Sequence, residues 1–325
     1  MIEKKDFTFL SSDGETYIHA VKWADKTQSA KAILQLVHGM TEHIDRYDDF
    51  ARFLAQRGIT VVGHDHLGHG TSVKTKEDWG YFSEENPDLV LIEDIHRLRL
   101  LMIEEQKTAE TRDPVKYNKG KLPYFILGHS MGSYLLREYL GVYDEELSGA
   151  IIMGTGYESA KTTAGACRLL SFIKFFRGSR HRSNFIKKMT MKGPYKKFDL
   201  KGHDLTKSWL TRNPKAVDQY MNDPRCTFTF TLNGYKGLFN AVDYSCKQEN
   251  TDKIRKDIPI FLVSGSDDPV GNLGIGVKKV HSMMKKAGIN DVSVNLYQDY
   301  RHEILNEINN DKVYKDILNW MLYRL

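Results

Sequence analysis

Short apolar runs rich in valine and isoleucine alternate along most of the chain with segments whose apolar residues recur at helical spacing. Runs bounded by turn residues predict buried strands, and the helical spacing predicts helices between them. This alternation is typical of a mostly parallel sheet flanked by helices. The predicted strands are Phe7–Leu10, Thr16–Lys22, Ala32–Val37, Ile59–His64, Pro123–Gly128, Ala150–Met153, Ile258–Gly265 and Val292–Tyr297. The predicted helices are Asp45–Arg57, Leu89–Glu105, Met131–Val142, Val277–Lys286 and Val313–Leu322.

The alternation stops after Gly156 and resumes only at the strand that begins at Ile258. The residues between them are basic and aromatic, and they have little of the β-branched character that strands need. We therefore expect an α/β core of eight strands that carries an insertion, rather than two independent domains.

Positive charge is concentrated in this insertion. The whole chain of 325 residues has a net charge of only +5, yet residues 161–215 hold fifteen Lys or Arg against two Asp. A basic segment inside an otherwise acidic chain is compatible with a solvated face, with an anionic membrane surface or with attraction of an acidic substrate. No nucleic-acid-binding module surrounds the segment, so we expect no nucleic-acid partner.

One stretch of the insertion, ACRLLSFIKFFRG, predicts a basic amphipathic helix. Polar residues recur there every third position, and apolar residues fill the places between them. We expect the apolar side either to line the acyl-chain site or to dip into a membrane surface. The residues predicted to contact substrate are Leu169, Phe172, Ile173 and Phe176.

The strongest chemical signal is GHSMG, residues 128–132, which lies between a predicted strand and a predicted helix. A serine at such a sharp turn presents its hydroxyl above the sheet, and the flanking glycines avoid clashes in the turn. The motif predicts Ser130 as a catalytic nucleophile.

A serine hydroxyl needs a base to remove its proton, and the base needs a carboxylate to orient it. Asp268 follows a late strand in SGSDDPVG, and His302 follows the last strand in DYRHEILNE. Both lie at carboxyl ends of strands, where open α/β sheets build their sites. Asp267 is the adjacent alternative for the acid.

The negative charge that develops on an attacked carbonyl oxygen is stabilised by backbone N–H groups. Met131, the residue after the predicted nucleophile, is one expected donor. Met40, in the loop HGMTEH after an early strand, is the other.

Five motifs resemble, in their order and positions, those of the monoglyceride lipase and bacterial lysophospholipase group of α/β hydrolases, within the serine aminopeptidase type of hydrolase. They are HGMTEH, DHLGHGTS, GHSMGS, SGSDDPVG and RHEILNE. The resemblance covers essentially the whole chain. It implies a triad of Ser130, Asp268 and His302, an oxyanion hole at Met40 and Met131, and a helical lid.

This resemblance divides the chain into a core of residues 1–156 and 240–325 and a lid of residues 157–239. It implies a serine ester hydrolase, either a monoacylglycerol lipase or a lysophospholipase, that needs no cofactor or metal. The lid segment DPRCTFTFTLNGYKGLF is closer to bacterial members, and Leu305 stands where animal enzymes have a second histidine. Short-chain carboxylesterase, thioesterase or peptidase activity on the same triad is an alternative, as is a non-catalytic ligand-binding protein.

A zinc site is a competing prediction for HDHLGH, because His64, His66 and His69 have the spacing of a metallo-β-lactamase motif, although Gly68 replaces its aspartate.

The three cysteines, at positions 167, 226 and 246, have no disulfide or metal spacing, so we expect them to be reduced. The sequence contains neither a signal peptide nor an apolar run of spanning length. We therefore expect a cytoplasmic protein with a lipid or acyl-ester substrate and peripheral membrane contact through the basic lid.

Overall fold

The computed structural model describes residues 1–112, 121–143 and 146–325, with the side chains of residues 110–112 left undescribed. Its centre is an eight-stranded sheet in the order β1-β2-β4-β3-β5-β6-β7-β8. The strands are β1 Ile2–Leu10, β2 Tyr17–Asp25, β3 Ala32–Val37, β4 Ile59–His64, β5 Tyr124–His129, β6 Gly149–Met153, β7 Ile260–Gly265 and β8 Val292–Tyr297. The first two strands pair antiparallel with their neighbours, and the others pair parallel. The predicted α/β fold with a mostly parallel sheet is confirmed.

Helices cover both faces of this sheet. They are α1 Asp48–Ala55, α2 Pro87–Arg112, α3 Met131–Val142, α4 Ala160–Arg177, α5 Asn184–Thr190, α6 Pro214–Asn222, α7 Leu232–Ser245, α8 Gln248–Thr251, α9 Ile275–Lys286 and α10 Asp311–Leu322. Single 3₁₀ turns occur at Ile44–Tyr47, Lys76–Asp78, Gly193–Lys197, Leu205–Lys207 and Ile304–Asn306. None of the helices in the described ranges has the length and apolar character needed to cross a membrane.

Two apolar layers hold the sheet between its helices. One layer joins the sheet to α2, α3, α7 and α9, and the other joins it to α1 and α10. Strands β3, β5, β6 and β7 are buried along their whole length, as expected for parallel strands covered on both faces. Because each of these strands is a continuous apolar run, its position could be predicted from the sequence.

The segment between β6 and β7 is helical, and part of it belongs to the core. Helix α7 begins at Thr231, whose hydroxyl caps the Gly234 amide, and it buries Leu232, Tyr235 and Val242. It packs against α2, α3 and α4. The predicted lid boundary at residue 239 therefore falls inside a continuous helix.

Candidate active site

Ser130 lies at the turn between β5 and α3, with backbone angles φ 53° and ψ −119°. This left-handed conformation is costly for a residue with a Cβ atom, and it occurs where a nucleophile must project from a strand-to-helix turn. The Ser130 amide donates to the Met153 carbonyl on β6 at 3.0 Å, which fixes the turn to the sheet. A Cβ atom at Gly132 would lie 2.1 Å from the Val37 carbonyl oxygen, so only glycine fits there. The elbow predicted from GHSMG is thus present, and Ser130 is partly exposed at its tip.

Asp268 and His302 come together although 34 residues separate them. His302 Nδ1 lies 3.0 Å from both carboxylate oxygens of Asp268, and both side chains are buried. Asp268 also accepts hydrogen bonds from the Val270 amide at 2.8 Å and the Ser264 hydroxyl at 3.0 Å. Burial alone would raise the pKa of the Asp268 carboxyl, but the charge and hydrogen bond of His302 outweigh it and lower that pKa. An ionised Asp268 holds the Nδ1–H tautomer of His302, which leaves Nε2 free to act as a base.

The neighbouring aspartate has different surroundings. The Asp267 side chain is exposed, and its backbone amide donates to the Tyr300 carbonyl at 2.9 Å. Of the two candidate acids, the structure brings Asp268 alone against the His302 ring.

The loop that carries Met40 lies against Ser130. A Cβ atom built on Gly39 would be 2.9 Å from the Ser130 Cβ and 2.7 Å from the Glu42 carboxylate, so the backbone passes directly over the elbow. Met40 packs against the core next to it, and the Met131 amide opens helix α3 on the other side of Ser130. A helix N-terminus directs unpaired N–H groups and positive potential toward bound negative charge. Met131 directly follows Ser130, and Gly39, the residue before Met40, comes close to it, while the role of the two amides as oxyanion donors stays a prediction.

A buried polar cluster that the sequence did not reveal supports this loop. The Glu42 carboxylate accepts from the Gly39 amide at 2.5 Å and from the Tyr47 hydroxyl at 3.0 Å. The same oxygen lies 3.0 Å from Nδ1 of His129. Burial opposes ionisation of Glu42, but the His129 hydrogen bond and the nearby Arg46 charge lower its pKa. Because Glu42 stands inside HGMTEH and His129 inside GHSMG, the motifs contained the signal, but only the fold shows that the two residues meet.

Arg46 extends this cluster to the loop that carries His302. Its guanidinium bridges Glu42 at 3.0 Å and the Glu303 carboxylate at 2.8 and 2.7 Å. Such a bidentate pair is directional as well as strong. Since Glu303 follows His302 in the chain, the pair ties the loop of His302 to the loop over the elbow.

The three histidines considered for zinc are buried beneath the site with His38. The His66 amide donates to the His38 ring at 2.9 Å, and the His64 and His66 rings meet edge to face at 5.0 Å. Burial lowers the pKa of His66 to about 4 and that of His69 to about 3, so both are neutral at physiological pH.

Within the described ranges, the one group of three ligating side chains whose ligand atoms lie within 4.8 Å of one another is elsewhere, at His43, Asp223 and Cys226. There the Arg225 guanidinium already forms an ion pair with Asp223 at 2.8 Å. Of the three histidines of HDHLGH, His66 and His69 lie within hydrogen-bond distance of backbone carbonyls, whereas His64 packs its ring against those of Phe9 and His66.

The four predicted substrate contacts on α4 do not share one face. Leu169 and Ile173 pack against the core, whereas Phe172 and Phe176 are 64% and 67% exposed. A three-residue period falls short of the 3.6-residue turn of an α-helix, so a polar stripe with that period winds around the helix. The apolar positions wind with it, and part of them faces solvent. An acyl-chain wall on this helix is therefore limited to its inner residues.

Comparisons with known proteins agree with this geometry. The chain is 24% identical to mouse monoglyceride lipase over 97% of its own length and 90% of the relative's. It is 22% identical to the monoacylglycerol lipase of Mycolicibacterium smegmatis, covering 99% and 98% of the two chains.

Solved structures share the fold. A thermostable carboxyl esterase from Bacillus coagulans, determined in complex with glycerol, superposes with a TM-score of 0.83 at 25% identity, covering 98% of this chain and 97% of that one. A soluble variant of the Saccharomyces cerevisiae monoglyceride lipase, in complex with a substrate analogue, gives a TM-score of 0.73 at 18% identity, covering 98% and 94%.

The family model described as serine aminopeptidase, S33, matches residues 28–309, a range that contains the elbow, the Asp268–His302 pair and the whole segment between β6 and β7. The chain belongs to this hydrolase family, and its relatives identify it as an ester hydrolase of the α/β-hydrolase fold.

Proposed function

We propose that the protein is a serine hydrolase that cleaves the carboxylic ester of a monoacylglycerol or a lysophospholipid through an acyl-enzyme on Ser130. One observation carries the proposal: a buried aspartate and histidine, 3.0 Å apart, in a fold whose nucleophile elbow holds a serine at positive φ. This combination of acid, base and strained serine is what acyl transfer requires.

In the proposed reaction, the Ser130 oxygen attacks the ester carbonyl while His302 Nε2 accepts the hydroxyl proton. The Met40 and Met131 amides stabilise the oxyanion, and Asp268 stabilises the imidazolium. The ester C–O bond then breaks, and the imidazolium returns the proton to the leaving alcohol. A water molecule, activated by the same histidine, hydrolyses the acyl-enzyme and releases a carboxylic acid.

The single-chain lipid substrate is supported by two kinds of observation. The mouse and mycobacterial relatives are named for monoacylglycerol hydrolysis, and the Bacillus coagulans esterase was determined with glycerol bound. In this chain Leu169, Leu170 and Ile173, on the inner side of α4, pack against the apolar core layer that includes helix α7, so the insertion presents apolar side chains toward the core.

A panel of esters tests the substrate class. We expect release of fatty acid from long-chain monoacylglycerols or lysophospholipids with kcat/KM at least about tenfold above that for p-nitrophenyl acetate, because each buried methylene of the acyl chain adds to binding. Acyl-CoA thioesters and aminoacyl p-nitroanilides complete the panel. Hydrolysis of short esters, thioesters or anilides in preference to the lipids would overturn the lipid proposal. The assignment of the catalytic triad would still hold. No hydrolysis of any substrate would favour a ligand-binding protein.

We further propose that the outer side of the insertion docks on an anionic membrane surface, from which the substrate is taken. Four phenylalanines on α4 and α5 are 59–83% exposed, far more than is usual for this side chain. They are Phe172, Phe175, Phe176 and Phe185. Exposed cations stand beside them, namely Arg168, Arg177, Lys188 and Lys192. Aromatic rings bordered by cations match the layered chemistry of acyl chains below anionic headgroups.

Vesicle sedimentation tests this docking face. The triple variant Phe172→Ser, Phe175→Ser, Phe176→Ser is expected to bind phosphatidylglycerol-containing vesicles at least about tenfold more weakly than wild type, because three rings no longer insert. Ile275→Ser, which alters another exposed apolar residue on core helix α9, is the matched control and should bind as wild type does. Binding should also weaken as salt is raised and with pure phosphatidylcholine. Equal binding of the triple variant and wild type would refute the docking face.

A further inference from the structure

The segment Thr206–Arg212 of the insertion is fastened to the loop that carries the catalytic histidine. The Glu303 amide donates to the Leu210 carbonyl at 2.7 Å. The Arg301 guanidinium donates to the carbonyls of Thr206 at 2.9 Å, Ser208 at 2.6 Å and Thr211 at 3.3 Å. One side chain therefore holds three carbonyls of the segment in place.

A buried carboxylate completes this attachment. Glu307 accepts from the Arg301 amide at 2.9 Å and from both the amide and the Nε of Arg212 at 3.1 Å. The Glu307 side chain is fully buried, so these charge-assisted bonds are shielded from water and salt. The segment Thr206–Arg212 is thus joined to the core at the active site itself.

This attachment places an indole against the catalytic imidazole. The ring centroids of Trp209 and His302 are 5.1 Å apart, with the planes tilted by 31°. The titratable groups that face the same imidazole are Asp268, at 3.0 Å, and His129, whose ring centroid lies 4.7 Å away. Tyr195 meets Trp209 edge to face at 5.3 Å and supports the indole from the insertion. The face of an indole attracts a cation, and the attraction is stronger where water is excluded, as it is around the buried His302 ring.

We propose that Trp209 is a positioning residue that holds the His302 ring and stabilises its protonated form during acyl transfer. The inference depends on the proposed function, because in that reaction the transfer of the Ser130 proton makes His302 an imidazolium. Neutral imidazole gains little from the indole face, whereas imidazolium gains the cation–π attraction. The interaction therefore strengthens in the transition state, which is the condition for it to accelerate the reaction.

Substitution of the indole tests this role through the pH profile. Trp209→Leu removes the aromatic face and keeps an apolar side chain, whereas Trp209→Phe keeps a ring. We expect Trp209→Leu to lower kcat about tenfold and to move the acidic limb of kcat/KM about one unit to lower pH, because the imidazolium loses its stabilisation. Trp209→Phe should retain most of the wild-type kcat, and its acidic limb should stay near the wild-type position. A raised KM with unchanged kcat and an unmoved acidic limb would show that Trp209 only shapes the substrate site, and would overturn the proposal.

A second measurement does not depend on turnover. A protonated imidazole quenches the fluorescence of an indole that it contacts, so wild-type emission should fall in a step as the pH is lowered. Trp209→Phe and His302→Asn should each remove that step, while Ser130→Ala should keep it. A step that survives in Trp209→Phe or His302→Asn would contradict the contact between the two rings. If the step is present but no ester is hydrolysed, the proposed function fails and the contact stands.

Discussion

Ser130→Ala is expected to lower kcat for ester hydrolysis by about 10⁴-fold or more, because the variant retains the oxyanion donors but has no atom that can form the acyl-enzyme. The side chain makes no hydrogen bond on which the turn depends. The turn is held by the Ser130 amide, which donates to Met153, and by the Ser130 carbonyl, which accepts from the Ser133 amide and hydroxyl. The measurement is fatty-acid release at saturating substrate.

The thermal stability of Ser130→Ala shows whether the variant is correctly folded. Alanine has the same Cβ atom as serine, so the strain at φ 53° is unchanged, and the thermal midpoint should stay within about 2 °C of wild type. Ser133→Ala removes a hydroxyl that supports the turn but leaves the Ser130 hydroxyl in place, so it should lose far less activity than Ser130→Ala. Hydrolysis by Ser130→Ala within about tenfold of wild type would remove Ser130 as the nucleophile.

Asp268→Asn is expected to lower kcat by about 10³-fold or more, although the amide has almost the same shape as the carboxylate. An amide can donate to His302 Nδ1 and so favour the tautomer whose Nε2 carries the proton, which cannot act as a base toward Ser130. It also leaves the imidazolium without its buried counter-charge. The pH dependence of kcat/KM and the residual rate at pH 7 are the measurements.

Asp267→Asn is the matched comparison for this variant. It makes the same chemical change one residue earlier, on an exposed side chain that does not contact His302. Its kcat should lie within about twofold of wild type. If Asp267→Asn were the inactive variant and Asp268→Asn the active one, the acid would be assigned to the wrong residue.

The sheet, and the positions of the candidate site residues at the ends of its strands, were predictable because each depends on local sequence. Strands buried on both faces must be continuously apolar, and a nucleophile elbow needs glycines at fixed offsets. Helix Met131–Val142 and strand Val292–Tyr297 match their predicted bounds. The triad order follows from the position of each loop at the carboxyl end of a strand.

The surroundings of the site were not predictable, because they depend on contacts between distant segments. Nothing around Trp209 in the sequence indicates that Arg301 would fasten it beside His302. Similarly, Asp267 and Asp268 are equivalent by spacing, and only the twist of the loop after β7 turns one inward and the other outward. The exposure of Phe172 on α4 was also not predictable by treating the apolar residues as one face, because residues left between polar positions of period three wind around an α-helix.

The most direct test of the account is to locate the covalent adduct formed with a long-chain fluorophosphonate, which reacts only with an activated serine. Intact-mass and peptide analysis of the native protein should give one adduct per chain, on Ser130, and labelling should slow by orders of magnitude in Asp268→Asn. An unlabelled native protein, or an adduct on another residue, would contradict the assignment of Ser130 as a nucleophile activated by His302 and Asp268.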